Sequence, residues 1–298
     1  MRVALVTYSG LPALSADDRL LLPPLAARGV RAEAAAWDDP AVVWDVFDAV
    51  VIRSTWNYHT APDAFAAWVD RVESLARPVW NPPAILRWNA SKRYLHDLAD
   101  RGVEIVPTVW VENGDRRLLA DVIADESWAE AVVKPVVSAS AFETWRVAIG
   151  GITADEETRF RRVASRTGGA MVQRFVPELA SDGEWSLVFL DGEYSHAVLK
   201  RARAGDFRVQ HEHGGTAEPR VAPPHLVDAA RVIASLVPGP WLYARVDGVE
   251  IDGRFVLGEL ELLEPSLFLG AHGQAAERLA EAICRMSGSA RDREGGSR

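Results

Sequence analysis

Short apolar runs separated by amphipathic stretches mark the first eighty residues. Residues 3–7 and 47–52 are apolar runs with the length of buried strands, and residues 31–37 form another extended stretch. Residues 17–28 carry apolar side chains on one helical face. Strands alternating with helices predict a parallel sheet, which binds ligands beyond the carboxyl ends of its strands. The polar loop 53–59 lies at such an end, so it is a candidate substrate loop, although an ordinary solvent loop explains this signal equally well.

The pattern changes after Asn81-Pro82-Pro83, which predicts a domain boundary. The pairs Asp191-Gly192 and Asp252-Gly253 each separate two extended runs and predict β-hairpin turns. The tail 287–298 is rich in Gly, Ser and charge and is predicted to be disordered. The remaining predicted strands are 103–111, 131–137, 168–176, 185–190, 194–200, 242–249 and 254–263, and the predicted helices are 89–101, 118–125, 223–235 and 275–286.

Composition narrows the class of protein. The 298 residues include 33 Lys and Arg against 42 Asp and Glu, a formal net charge of −9, which argues against nucleic-acid binding by counterion release. No apolar run reaches the ~18 residues that a membrane span requires. The single cysteine, Cys284, excludes a disulfide framework and a Cys-rich metal site. Residues 1–9 predict a strand rather than a signal peptide, so we expect a cytoplasmic protein and not a periplasmic-type binding protein.

Lys134 lies inside an otherwise apolar strand. An unpaired buried ammonium group resists desolvation, which favours an anionic partner for this side chain. The small residues that follow, Ser138 to Ala141, would let backbone N–H groups approach phosphate oxygens closely. An edge lysine that extends to solvent before a flexible turn is the alternative.

A second candidate region is the strand 173–176, which stops at Pro177. A strand end frees an edge amide and carbonyl that can recognise a purine, and Glu178 and Glu184 are then placed for ribose hydroxyls. An ordinary strand end with solvated acids explains the same pattern.

A third region carries the cations Lys200, Arg201 and Arg208 on a short stretch of an acidic chain. They predict a focused anion site. His211 and His213 are spaced for metal ligation, but we disfavour this role because no second cluster of soft ligands accompanies them. A loop over the reaction centre, hinged at Gly214-Gly215, is the preferred interpretation.

The strongest pattern lies in the last hairpin. Strand periodicity places Glu259 and Glu261 on one face, and Asp247 lies on the partner strand. Crowded carboxylates repel one another unless a cation separates them, and hard oxygen ligands are typical of Mg²⁺ sites in nucleotide enzymes. Leucines alternate strictly with these acids, which favours a metal site over a solvated sheet face.

These clusters follow the order of the ATP-grasp superfamily from about residue 89 to residue 269. The stretches 173–176, 199–201, 205–208 and 214–215 resemble its branch of ribosomal-protein glutamate ligases and glutathione synthetases. The resemblance implies an α/β protein, α+β in its ATP-grasp part. Its expected ranges are a parallel-sheet pre-ATP-grasp substrate domain (1–88), a small lobe (89–172) and a large lobe with the metal site (173–286).

The resemblance also implies roles for individual residues. The ATP-binding residues would be Lys92, Lys134, Ser138, Gln173, Arg174, Phe175, Val176 and Glu184; the Mg²⁺ or Mn²⁺ ligands Asp247, Glu259 and Glu261; the catalytic residues Arg245 and Lys200. Two departures stand out. Glu261 takes the place of the asparagine that the family commonly has, and the loop 138–142 contains no glycine.

Residues 14–20, 53–58 and 183–186 are similar to the family of O-ureido-D-serine cyclo-ligases, which form the antibiotic D-cycloserine. This resemblance implies phosphorylation of an amino-acid-like small molecule by ATP, followed by ring closure through a nitrogen of the same molecule. Its contacts would come from Arg53, Ser54, Thr55, Arg208 and Glu264. The alternatives are an ATP-grasp ligase that joins two amino-acid-like molecules and a nucleotide-binding regulatory module without catalysis. The sequence leaves a homodimer open.

Overall fold

The computed structural model describes residues 1–203, 205–209 and 213–295. Its N-terminal part is a parallel sheet with strand order β2-β1-β3-β4, as the alternating pattern predicts. The helices here are short α1 and longer α2. The elements are β1 (Arg2–Thr7), α1 (Leu22–Ala27), β2 (Arg31–Ala36), β3 (Ala49–Ile52), α2 (Pro62–Ser74) and β4 (Val79–Trp80).

Two helices of this part differ from the sequence prediction. The predicted helix 17–28 is divided into a 3₁₀ turn over Asp18–Leu21 and then α1, because Pro23 and Pro24 cannot donate backbone hydrogen bonds and so suit only a first helical turn. Helix α2 was not predicted. Its buried residues Phe65, Trp68, Val69 and Val72 recur at helical spacing, which is the signal that would have revealed it.

The connection between the N-terminal sheet and the rest of the chain contains α3 (Pro83–Asn89) and α4 (Tyr94–Asp100). The predicted helix 89–101 therefore begins five residues late, at Tyr94. The reason lies at Lys92, whose backbone N–H donates to the carbonyl oxygen of Val136 at 2.7 Å and so cannot continue a helix. This bond brings Lys92 close to the strand that carries Lys134.

A small antiparallel sheet follows, with strand order β5-β8-β6-β7. Helix α6 and strand β7 were not predicted, although Thr153 and Glu156 form a capping box, a recognisable helix start. The predicted strand 103–111 begins only at Thr108 in the structure. The elements are β5 (Thr108–Glu112), α5 (Leu119–Asp125), β6 (Glu130–Pro135), β7 (Trp145–Ala148), α6 (Ala154–Arg166) and β8 (Gly169–Arg174).

The last sheet is also antiparallel, with strand order β11-β10-β9-β12-β13, and it contains both predicted hairpins. The edge strand β11 was not predicted. The elements are α7 (Pro177–Ser181), β9 (Glu184–Leu190), β10 (Glu193–Arg201), β11 (Thr216–Arg220), α8 (Pro224–Ser235), β12 (Tyr243–Ile251), β13 (Arg254–Glu261) and α9 (Ala275–Gly295).

Helix α9 corrects the predicted disordered tail. The helix extends nine residues past Met286, its predicted end, so residues 287–295 are helical. Ser287 is 1% exposed, which shows that packing continues beyond the predicted end, and Ala290, Arg291 and Glu294 favour helix. Residues 296–298 lie outside the described residues. None of the helices in the described ranges combines the length and hydrophobicity needed to cross a bilayer.

Two buried asparagines fasten the connecting segment to the last sheet. The side chain of Asn81 donates to the carbonyl oxygens of Tyr243 (2.8 Å) and Leu262 (2.7 Å) and accepts from the N–H of Leu242. Asn89 donates to Leu260 O at 2.7 Å and accepts from the N–H of Leu262. These bonds place the carboxyl end of the parallel sheet beside the ends of β12 and β13.

Candidate active site

A cavity of about 410 Å³ lies between the two antiparallel sheets and is closed on one side by the N-terminal part. Every residue that the resemblance assigned to ATP, metal or catalysis lines it, together with Arg208 and Glu264, whereas Glu178, the other candidate ribose contact, does not. The assigned residues are Lys92, Lys134, Ser138, Gln173, Arg174, Phe175, Val176, Glu184, Lys200, Arg245, Asp247, Glu259 and Glu261. The structure therefore brings together segments that are far apart in the chain, from Lys92 to Glu264.

Strand register explains how the large sheet presents its charges. Asp247 pairs directly with Glu259, and Arg245 pairs with Glu261. Lys200 likewise pairs with Glu184 across the first hairpin. Side chains that are opposite one another in a sheet point to the same face, so these charges share the face that lines the cavity.

Asp247 is the most buried charge of the site, with 1% exposure. Its carboxylate accepts from Arg245 Nη2 at 2.8 Å, from Lys200 Nζ at 3.0 Å and from the Ser186 hydroxyl at 2.7 Å. Burial alone would raise the pKa of Asp247, but the charges of Arg245 and Lys200 outweigh it and the net shift is downward. Lys200 also contacts Glu184, so one ammonium group joins two carboxylates.

Glu259 faces two lysines from the other side of the cavity. Lys92 Nζ donates to Glu259 Oε1 at 2.8 Å, and Lys134 Nζ lies 3.9 Å from the same oxygen. Burial works to raise the pKa of Glu259, but the two lysines hold it well below its usual range. Burial lowers the pKa of Lys134, with Glu259 offsetting only part of that effect. Lys134, which the apolar strand predicted to need an anion, is partly buried and has Glu259 as its anionic partner.

Glu261 and Glu264 are carboxyl groups whose ionised forms the neighbouring cations do not fully stabilise. Burial, together with the nearby charges of Asp247 and Glu259, raises the pKa of Glu261 to about 7. Arg245 Nη2, which donates to Glu261 at 2.5 Å, offsets only part of this rise. Burial and the charge of Glu261 raise the pKa of Glu264 to about 8. The cavity therefore favours additional positive charge beside β13.

The donor set is compatible with a divalent metal ion. Asp247, Glu259 and Glu261 offer hard carboxylate oxygens on one sheet face, next to an uncompensated negative charge. Among residues 1–203, 205–209 and 213–295, however, no three His, Cys, Asp or Glu side chains lie close enough together to hold an ion. The three carboxylates instead turn to Arg245, Lys200 and Lys92, the cations available to them.

The predicted adenine-binding stretch 173–176 lies at the end of β8. The Gln173 side chain donates to the Thr108 hydroxyl at 3.0 Å. The N–H groups of Arg174 and Phe175 donate to Pro107 O and Glu130 O, so these two amides are engaged within the protein. Recognition of a purine through the freed backbone must therefore use other groups of this stretch. The Phe175 ring is covered by the guanidinium of Arg146 at 3.6 Å.

The loop after Lys134 is held in an unusual backbone conformation. Ser140 and Ala141 have φ of 49° and 55°, the left-handed region that non-glycine residues rarely adopt. The Ser138 hydroxyl donates to Phe142 O at 3.0 Å and closes the loop on itself. Ser138 to Ala141 line the cavity, as the predicted phosphate loop requires.

The basic stretch after β10 divides in the structure. Lys200 is buried in the site and Arg201 is exposed. Arg208 lines the cavity, but its guanidinium binds Asp206 at 2.8 Å. The predicted anion site of three cations is therefore reduced to Lys200, unless Arg208 exchanges its partner. The disfavoured metal ligand His211 lies outside the described residues.

The structure does not place Arg53, Ser54 and Thr55 on the cavity, where the resemblance implied that they contact the substrate. All three are at most 1% exposed and do not line the cavity. The N–H groups of Arg53 and Ser54 both donate to Val6 O at 3.0 Å, so the chain continues along β1 and keeps these side chains between layers.

The loop 53–59 does reach the cavity, through Trp56 and Tyr58. Both belong to the predicted loop, but polar residues were preferred as substrate contacts. Ser266 and Phe268, further along the chain, also line the cavity and were not predicted. Ser266 and Phe268 follow Glu264 at intervals of two residues, and this spacing is the sequence signal that could have placed them on the same side of the segment.

Two antiparallel sheets that enclose lysines and carboxylates, preceded by a parallel-sheet domain, define an ATP-grasp ligase. Solved structures agree on the fold: a D-alanine–D-alanine ligase from Bacillus anthracis complexed with ATP has a TM-score of 0.70 at 16% identity, covering 99% of this chain and 100% of that chain. An ATP-grasp RimK domain protein from Sphaerobacter thermophilus has a TM-score of 0.67 at 20% identity, covering 95% and 99%. The predicted fold class is confirmed.

A narrower group is identified by sequence. The family description "D-cycloserine synthetase DcsG, N-terminal domain" matches residues 3–81. The cycloserine biosynthesis protein DcsG of Streptomyces lavendulae is 32% identical over 292 residues, 94% of this chain and 97% of that protein. The crystal structure of D-cycloserine synthetase DcsG has a TM-score of 0.86 at 30% identity, covering 96% of this chain and 100% of that chain. The chain belongs to the D-cycloserine synthetase family, and it is an ATP-dependent ligase.

Proposed function

We propose that this ligase closes O-ureido-D-serine into D-cycloserine, using ATP and Mg²⁺ and releasing ADP and phosphate. The observation that carries this proposal is the similarity to D-cycloserine synthetase over 94% of the chain, which includes the N-terminal substrate part as well as the nucleotide lobes. The aromatic side chains of Trp56 and Tyr58, on the loop of that N-terminal part, give the cavity a wall suited to a small molecule.

The nucleotide would lie between the two antiparallel sheets. Lys92 and Lys134 from the small-lobe side and Lys200 and Arg245 from the large sheet converge on the same cavity, so they are available to hold phosphate oxygens. Each is paired with a carboxylate in the structure. Phosphate oxygens would compete for these cations and release the carboxylates from them.

Asp247, Glu259 and Glu261 would hold the metal ion, which supplies charge neutralisation for the phosphate groups. Arg245 Nη2 already lies between Asp247 and Glu261, at 2.8 and 2.5 Å, so its guanidinium is fixed beside the proposed ligands. Fixed cations stabilise the charge that spreads over a transferring phosphoryl group without needing to reorganise.

Ring closure requires an activated carboxyl group. The γ-phosphoryl group of ATP passes to a carboxylate oxygen of the substrate and gives an acyl phosphate. The nitrogen bonded to oxygen in the same molecule attacks the acyl carbon, the C–N bond forms, and phosphate leaves with the C–O bond electrons. That nitrogen bears the carbamoyl group, so D-cycloserine also requires hydrolysis of this group to carbon dioxide and ammonia. An enclosed cavity protects the acyl phosphate until closure, which proximity accelerates.

Purified protein incubated with ATP, Mg²⁺ and O-ureido-D-serine as the only amino-acid compound tests the proposal. We expect stoichiometric ADP and D-cycloserine, measured by coupled absorbance and by mass spectrometry. Turnover that requires a second amino compound would instead assign the chain to the ligases that join two substrates. ATP bound without any product would indicate a regulatory module.

Removal of the metal tests the cofactor separately. Calorimetric titration of the protein with ATP in the presence of Mg²⁺ should give a binding heat. The same titration of the protein with EDTA in place of Mg²⁺ should show much weaker binding of ATP. Equal heats in both titrations would contradict the proposed metal site.

A further inference from the structure

The segment 264–268, which follows β13, alternates like a strand although it forms neither strand nor helix. Glu264, Ser266 and Phe268 line the cavity, whereas Pro265 and Leu267 are buried on the opposite side. An irregular segment lacks the ladder of backbone bonds that fixes a sheet, so its buried carbonyl groups need other partners. The positions of its cavity-lining side chains depend on those partners.

The first two carbonyl groups are held from the N-terminal part. Trp56 Nε1 donates to Glu264 O at 3.0 Å, and Arg53 Nη2 donates to Pro265 O at 2.9 Å. Arg53 is itself fixed, because its Nε donates to Asp18 Oδ1 at 2.9 Å and its guanidinium lies 4.6 Å from the Tyr243 ring centre. Its fixed planar guanidinium fork makes it a rigid donor.

The next two carbonyl groups are held from the large sheet. Arg245 Nη1 donates to Ser266 O at 3.0 Å, and His196 Nε2 lies 2.9 Å from Leu267 O. A carbonyl oxygen only accepts, so Nε2 of His196 carries the proton, and Nδ1 is left to accept from the Ser195 hydroxyl at 3.0 Å. Burial and the neighbouring His272 lower the pKa of His196, which keeps the ring in this neutral form.

Four consecutive carbonyl groups thus accept hydrogen bonds from four different side chains. Trp56 and Arg245 also line the cavity, but Arg53 and His196 do not. We propose that Arg53 and His196 are positioning residues that fix the 264–268 segment and thereby set the affinity for the amino-acid substrate. The inference rests on the proposed function for the identity of that substrate. It gives Arg53 an indirect role in place of the direct contact that the sequence suggested.

The test compares His196→Phe, which removes the donor, with His196→Gln, whose amide can still donate to Leu267 O. Ile233→Ala is the control, because it removes buried side-chain volume from α8, and Ile233 belongs to a core cluster that contains none of residues 264–268. We expect His196→Phe to raise the KM for O-ureido-D-serine at least about 10-fold, since small misplacements of a binding group are costly. The KM for ATP should change by less than about 2-fold. His196→Gln should restore most of the substrate affinity.

Amide hydrogen exchange followed by mass spectrometry gives a readout that does not depend on the substrate. Peptides covering residues 262–270 should exchange faster in His196→Phe and in Arg53→Lys than in the wild type, but not in Ile233→Ala. If the wild type fails to convert O-ureido-D-serine while this difference appears, the proposed function is wrong and the positioning role stands. Unchanged exchange and unchanged KM in folded His196→Phe would overturn the positioning role. The positioning role would also be overturned if His196→Phe and Ile233→Ala both raised the KM for O-ureido-D-serine and the KM for ATP.

Discussion

Glu259 is the carboxylate that two lysines from different parts of the chain face across the cavity. It accepts from Lys92 and lies close to Lys134, so it ties both lysines of the connecting segment and small sheet to β13. Its partner across the strands is Asp247, which holds Arg245 and Lys200. Two carboxylates therefore organise four cations. A neutral side chain at Glu259 would remove the ion pairs of Lys92 and Lys134. At Asp247 it would leave Lys200 only Glu184 and Arg245 only Glu261.

Glu259→Gln and Asp247→Asn should each lower ATP turnover by at least about 100-fold, because removal of one preorganised charge at a reacting phosphoryl group commonly costs this much. The measurement is the rate of ADP release at saturating ATP and Mg²⁺. Glu126→Gln, at an exposed carboxylate outside the cavity, is the control and should retain wild-type turnover. Unchanged turnover in both site variants would contradict the metal assignment.

The residue scale also shows the limits of inference from one segment. Lys134 was singled out because a lysine in an apolar strand needs an anion, and Glu259 is that anion, 125 positions away. The assignment of Arg53 to the substrate had a weaker basis, its place in a polar loop and the resemblance to the cyclo-ligases. Its partner proved to be Asp18, buried with it, because the loop continues along β1 before it turns outward.

At the scale of elements, the hairpin of β9 and β10 determines where Lys200 lies. Gly183, just before β9, has φ of 94°, and a Cβ there would lie 2.6 Å from the Lys200 carbonyl oxygen. Only glycine permits this close approach of two backbones. The close approach at the beginning of β9 thus sets the position of Lys200 relative to Asp247.

Gly183→Ala tests this dependence against Gly192→Ala in the turn of the same hairpin. Both glycines have positive φ, so both variants carry the left-handed strain of about 1–2 kcal/mol. Open space surrounds Gly192, whereas Gly183 also meets backbone. We therefore expect a larger fall in melting temperature for Gly183→Ala, accompanied by a lower kcat. Equal melting temperatures and equal kcat values would contradict a role for this approach in placing Lys200.

At the scale of the whole molecule, the cavity exists because the parallel sheet is fastened to the large sheet. Asn81 makes hydrogen bonds to Leu242, Tyr243 and Leu262 through one buried amide. The Tyr243 hydroxyl adds a bond to Ile52 O at 2.5 Å, which reaches the end of β3. The loop 53–59 and the two antiparallel sheets meet across this junction.

Asn81→Ala should lower the free energy of unfolding strongly, because each buried group left without a partner costs about 1–3 kcal/mol. Asn113→Ala, at an exposed asparagine, should change it by less than about 0.5 kcal/mol. Chemical denaturation monitored by tryptophan fluorescence measures both. A small effect at Asn81 would mean that the junction does not depend on this amide.

The sequence by itself determined the features that depend on neighbouring residues. Strand periodicity placed Glu259 and Glu261 on one face, turn residues located both hairpins, and alternating elements predicted the parallel sheet. The tertiary structure decided which cation meets which acid, and that Arg53 binds Pro265, 212 positions away, rather than a ligand. Such pairings depend on packing between segments that are distant in the chain, and the local periodicity of the sequence carries no information about that packing. Trp56 and Phe268 became cavity walls for the same reason, since burial and exposure are settled only when the sheets and the N-terminal part meet.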